Sequence, residues 1–211
     1  VVIYQDLLAL VGEDLDSLQA LAVLLEKEGR WPDLAEILEK MIPLVPQEEA
    51  SELNLKLGRV RAERMEDREH AVEHYRSALA EKPDDSRAVE GLESLLERPD
   101  SAPAAAEILQ PIYEQGSNWA GLARVLEVQA GVTEDPVARL EIFKRMAEIQ
   151  ERQLDDPEKA FAALRLAFRL DSSRQDLLQI MQRLADKSQA YEQLTAALEE
   201  AVGGEGDPEN Q

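Results

Sequence analysis

Residues 18–46 read LQALAVLLEKEGRWPDLAEILEKMIPLVP. Leu18, Leu21, Ala22 and Leu25 stand at i, i+3, i+4 and i+7, one face of a helix with a 3.6-residue period. Gly29 interrupts that face. Trp31 opens a second helix, on which Leu34, Leu38 and Met41 continue the apolar stripe. Pro46 closes the unit, because its ring cannot continue a helix. Two amphipathic helices joined by so short a turn pack antiparallel.

The pattern spreads outward from this unit. Leu53, Leu57 and Val60 mark a third helix, and Ala71, Tyr75, Ala78 and Leu79 a fourth. The spacing predicts helices near 1–10, 15–28, 31–43, 48–65, 67–81, 85–97, 101–115, 119–131, 136–154, 157–170, 173–186 and 189–202. Asp135-Pro136 and Asp156-Pro157 put an acceptor at the N-cap and a proline at the first helical position. The chain shows no sustained period-2 alternation and no Asn-Gly turn, so the fold class is all-α. Gly203-Gly204-Glu205-Gly206-Asp207-Pro208 has the composition of a flexible acidic tail over 203–211.

The chain also repeats itself. A shift of 71 pairs Tyr4 with Tyr75 and Leu24-Leu25-Glu26 with Leu95-Leu96-Glu97. A shift of 88 pairs Trp31 with Trp119, and one of 89 pairs Asp67 with Asp156 and Ala71 with Ala160. The difference is one helix, near 101–115. Modules are therefore expected at 1–14 (truncated), 15–83, 84–172 (with the extra helix) and 173–202 (truncated). Helix 101–115 fits two phases: it can be the second helix after 85–97 or the first before Trp119, and Pro111 within it predicts a kink.

Composition agrees and excludes several function classes. Ala, Leu, Glu, Lys and Arg make up 111 of the 211 residues, the signature of long helices. Without cysteine there is no disulfide framework, Cys-ligated zinc, iron–sulfur cluster or thiol nucleophile. The net charge of −21 repels nucleic-acid phosphates and anionic membranes. No apolar run approaches the roughly 18–20 residues of a membrane span. The chain begins Val1-Val2-Ile3 without Met and is read as a stretch of a longer protein, expected in the cytoplasm.

The aromatic at Trp31 followed by Leu34, Leu38, Met41 and Pro46, and the Ala71–Tyr75–Ala78–Pro83 spacing, resemble the tetratricopeptide repeat, a helix–turn–helix of about 34 residues. Ala22, Gly58 and Ala147 take its small positions, where helices approach closely. The pairs around Gly58/Ala71 and Ala147/Ala160 are one residue longer in the turn. The Trp-marked two-pair module also resembles long tandem arrays in large bacterial proteins. The resemblance implies a right-handed solenoid of about twelve antiparallel helices that serves as a non-catalytic protein–protein interaction scaffold. It places ligands in a concave groove lined by the first helix of each pair. Carried across by register, that groove holds Gln19, Val23, Leu55, Arg59, Glu63, Arg87, Glu90, Lys144, Glu148, Arg152, Gln179 and Arg183. The Lys-and-Asn pattern that grips chaperone tails is absent there, and arginines suited to carboxylates stand in its place. The implied partner is a protein or peptide of basic or mixed charge, with no nucleic acid, no membrane insertion and no cofactor. A structural spacer without a groove ligand is the alternative. Trp31 and Trp119 are expected to pack between adjacent helices.

Two patterns invite a catalytic reading. His70-Ala71-Val72-Glu73-His74 has the H-x-x-E-H spacing of inverted zinc peptidases, with two imidazoles on one helix face and Glu73 as base. The buried stripe Ala71, Tyr75 and Ala78 puts both histidines on its flank, toward solvent, which makes a zinc-dependent hydrolase a remote alternative. Asp84-Asp85 and Asp155-Asp156 sit at interhelix turns, where aspartates cap helices. No Gly-rich phosphate loop, nucleophile elbow or calcium loop occurs.

Overall fold

The computed structural model describes residues 14–204. The helix expected over 1–10 and residues 205–211 of the expected tail lie outside the described residues. Eleven α-helices and one 3-10 turn make up the described chain, with no strand among them. We number them α1 (Leu15–Lys27), α2 (Trp31–Met41), α3 (Gln47–Arg64), α4 (Arg68–Glu81), α5 (Ser86–Leu95), α6 (Ala102–Gln115), α7 (Trp119–Val132), α8 (Pro136–Arg152), α9 (Pro157–Leu170), α10 (Gln175–Ser188) and α11 (Tyr191–Gly204). The 3-10 turn Ile42–Leu44 follows α2. Every described helix begins and ends within two residues of its expected position. α11 runs into the expected tail as far as Gly204.

The caps show why. Asp14, Asp85, Asp135 and Asp156 each accept a backbone N–H of the first turn they precede, at 3.0–3.3 Å. Asn118 does the same for α7 at 3.0 Å. These acceptors satisfy N–H groups that have no intrahelical partner. The neighbouring Asp155 is not a cap: it adopts φ 48° and its carboxylate meets Lys187 at 3.1 Å.

Two kinds of turn alternate. After α1, α6 and α10 the chain passes through one left-handed residue: Gly29, Ser117 or Gln189. The next amide then returns to a carbonyl five residues back, Arg30 to Leu25, Asn118 to Tyr113 and Ala190 to Ala185. After α3 and α8 the left-handed residue is Glu66 or Asp155, and the amide reaches six residues back, Asp67 to Arg61 and Asp156 to Gln150. The one-residue excess read in those turns is this wider loop.

The described chain divides into two compact units, residues 14–112 and 113–204, with the boundary inside α6. In the first unit Leu18, Leu21, Ala22 and Leu25 of α1 bury against Leu34, Leu38 and Met41 of α2 and Leu57 and Val60 of α3. In the second, Phe161, Leu164 and Phe168 of α9 pack with Leu177, Met181 and Leu184 of α10. Each such leucine contributes roughly 1.5–3 kcal/mol of burial. α3–α4 and α8–α9 are the most closely packed pairs.

Helix α6 continues through Pro111 to Gln115. Within the first unit it follows α5 through a turn in which Ser101 donates its hydroxyl to Leu95 O at 3.0 Å. Within the second, Tyr113 lies flat on α7, so close that a Cβ on Gly121 would fall 2.7 Å from the ring.

Candidate functional site

The outward stripe of α3 is Glu52, Lys56, Arg59 and Glu63, spaced four, three and four residues apart. With Glu26 of α1, Trp31 and Leu53, it forms a groove of about 470 Å³ that Arg64 and Arg87 border. That volume falls within the roughly 300–1,000 Å³ of ligand clefts. Lys56 Nζ meets Glu26 Oε2 at 2.6 Å, tying α3 to α1. Arg87 reaches from α5 to Glu52 with two parallel bonds of 2.9 and 2.8 Å, and also to Asp85 at 2.7 Å. Those bonds hold the carboxyls of Glu52 and Asp85 below the usual range. The Arg64 guanidinium sits 5.1 Å over the Trp31 ring, a cation–π contact. Trp31 is half-buried and packs against the core cluster of α1, α2 and α3. Trp119 is also only half-buried.

A second groove, about 520 Å³, lies on α8 and α10. Lys144 pairs with Glu141 at 3.1 Å and Arg152 with Glu148 at 2.6 Å. Arg183 grips Glu151 through both nitrogens, one at 2.8 Å, and lowers that carboxyl's pKa. Arg145 crosses to Glu114 of α6 at 2.7 Å. The Glu114–Arg145 pair stands at the repeat positions of Glu26–Lys56, 88 and 89 residues on.

The expected groove residues thus fall into two sets. Leu55, Arg59, Glu63 and Arg87 line the first groove, and Lys144, Glu148, Arg152 and Arg183 the second. Leu55 is only 6% exposed and belongs mainly to the core. Gln19, Val23, Glu90 and Gln179 are exposed and line neither groove. Sequence reasoning missed Glu26, Glu52 and Glu151, the carboxylates that engage the grooves' cations, and Lys56, which pairs with Glu26. For Glu52 and Lys56 the signal available was the four–three–four stripe on α3.

The histidines do not share one environment. His70 is exposed, with Nδ1 2.7 Å from Asp67 Oδ1. His74 does not face solvent. Its Nδ1 lies 3.0 Å from Asn54 Oδ1, between α3 and α4, and burial lowers its pKa, helped by the nearby Arg61 cation. Among the described residues no three His, Cys, Asp or Glu side chains are grouped to hold a metal. Among the same residues no helix is long and apolar enough to cross a membrane.

Comparison with known proteins adds one assignment. A family model described as tetratricopeptide repeat matches residues 17–51, which cover most of α1, all of α2 and the start of α3. No curated protein matches the chain in sequence.

Proposed function

We propose that this chain, an all-α helical repeat of the tetratricopeptide type, is a non-catalytic scaffold that binds a protein or peptide partner in a groove along its first helices. The tetratricopeptide match over residues 17–51 carries the reading. A repeat of this kind uses its buried stripe for stacking and leaves the opposite stripe for recognition. The grooves agree with that use: each is walled by charged side chains over a partly apolar floor. A partner of basic or mixed charge suits a chain of net charge −21.

The spacer reading has one observation of its own. Ion pairs tie α1 to α3, α3 to α5, and α8 to α10, and such ties would stiffen a rod. The test is affinity capture with the whole chain as bait, followed by titration of each captured protein in purified form by calorimetry. Saturable one-to-one binding that a charge reversal at Arg59 weakens is the expected result. Capture of no protein that binds in purified form would favour the spacer.

A further inference from the structure

The two grooves carry the same charges in opposite order. On α3 the pair is Arg59 then Glu63, and on α8, at the positions 89 residues later, it is Glu148 then Arg152. A carboxylate placed four residues before a cation pairs well on a helix; the reverse order pairs poorly. The side chains follow that rule. Glu148 and Arg152 meet at 2.6 Å. Arg59 and Glu63 are both exposed, and neither makes an ion pair or hydrogen bond among the described residues. The remaining charges of the second groove are matched as well: Lys144 to Glu141, Arg183 to Glu151 and Arg145 to Glu114. In the first groove Lys56 and Arg87 are matched and Arg64 rests on Trp31, which leaves Arg59 and Glu63 uncommitted.

Resting on the interaction reading above, we infer that the first groove is the recognition site and that its ligand is a peptide segment of mixed charge, presenting a carboxylate to Arg59 and a cation to Glu63. The two sites lie one helical turn apart, about 6 Å. An extended peptide offers that spacing between side chains two residues apart. Single-sign ligands fit less well. A polyanion meets the field of a chain carrying −21, and a polycation meets Arg59 and Arg64 at the groove itself. Half-buried Leu53 and Trp31 supply apolar surface in the same groove. The second groove, neutralised from within, is not a site for such a ligand.

The experiment pans a random dodecapeptide display library on the whole chain and measures enriched peptides by fluorescence anisotropy. Peptides with an acid and a base two residues apart are expected to be enriched. The double variant Arg59→Glu with Glu63→Arg recreates the self-pairing order and should bind them roughly tenfold more weakly or worse. The matching exchange in the second groove, Glu148→Arg with Arg152→Glu, should not weaken their binding. Circular dichroism checks that both variants stay helical. Two single variants give a second readout: Arg59→Gln should drop the acid from the enriched sequences, and Glu63→Gln should drop the base. Enrichment of single-sign peptides, equal binding by the Arg59/Glu63 exchange, equal loss in the second-groove exchange, or no enrichment would each overturn the inference. If a purified protein partner binds the wild type and the Arg59/Glu63 exchange alike, the scaffold reading stands and this inference falls. If neither peptide nor protein binds the wild type, both fall.

Discussion

Tyr75 is held between two bare backbones. A Cβ on Gly58 of α3 would lie 2.8 Å from its ring, and one on Gly91 of α5 would lie 2.4 Å away. Burial pushes its phenol up to about 12, with Glu63 adding to the shift and Arg59 opposing it. Gly91→Ala is therefore expected to destabilise the chain by about 1–3 kcal/mol, although alanine is the better helix former by about 1 kcal/mol. A lower urea midpoint at unchanged slope would bear this out; a higher midpoint would mean that the ring moves aside freely. The role of Gly58 was legible in the repeat register, which reserves that position for a small residue. That of Gly91 was not, because the helix it approaches is sixteen residues earlier and only packing brings them together. Trp31 packs against the helices around it, as its position in the repeat suggested, but how much of it would stay exposed was not legible.

At the scale of the element, α8 begins on Asp135, whose carboxylate takes two backbone amides at 3.1 and 3.3 Å. Asp135→Ala should cost about 1 kcal/mol and raise hydrogen exchange in the first turn of α8, with α9 unaffected. The α3–α4 pair makes a different demand. His74 is held neutral by burial and by Arg61, against the weaker pull of Glu39, so its pKa lies below the ordinary 6.5. A depressed value means that the fold's preference for neutral imidazole is fully present above pH 6.5. It is lost as the pH falls through the folded value. The melting temperature of the wild type should accordingly drop more between pH 7 and pH 5.5 than that of His74→Gln; equal drops would show that the acid sensitivity comes from elsewhere. Helix limits were legible because Asp-Pro caps, glycine and the apolar period mark them locally. The His74 environment was not. It depends on Asn54, which faces it across the α3–α4 contact.

For the whole molecule, repeat stability is a sum of local terms and nearest-neighbour contacts. The two units each bury their own clusters. Leu57→Ala, at a fully enclosed site in the first unit, should cost about 2–5 kcal/mol. Hydrogen exchange should show the loss of protection concentrated in α1–α4, with α9 and α10 nearly unchanged. Uniform loss along the chain would mean that the molecule unfolds as one body. What the sequence could not reveal at this scale was which cations were already engaged. Arg87 finds Glu52 thirty-five positions away and Arg183 finds Glu151 thirty-two away, so their partners follow from how helices stack and not from local spacing. Arg59-Val60-Arg61-Ala62-Glu63 and Glu148-Ile149-Gln150-Glu151-Arg152 add a consequence for how such chains diverge. Transposing an arginine and a glutamate alters neither amino-acid content nor overall charge, and it leaves the buried stripe intact. It nonetheless decides whether a surface closes on itself or stays open to another molecule. After duplication, one copy can lose or gain a partner by a change that substitution scores scarcely notice and natural selection can make without weakening the fold.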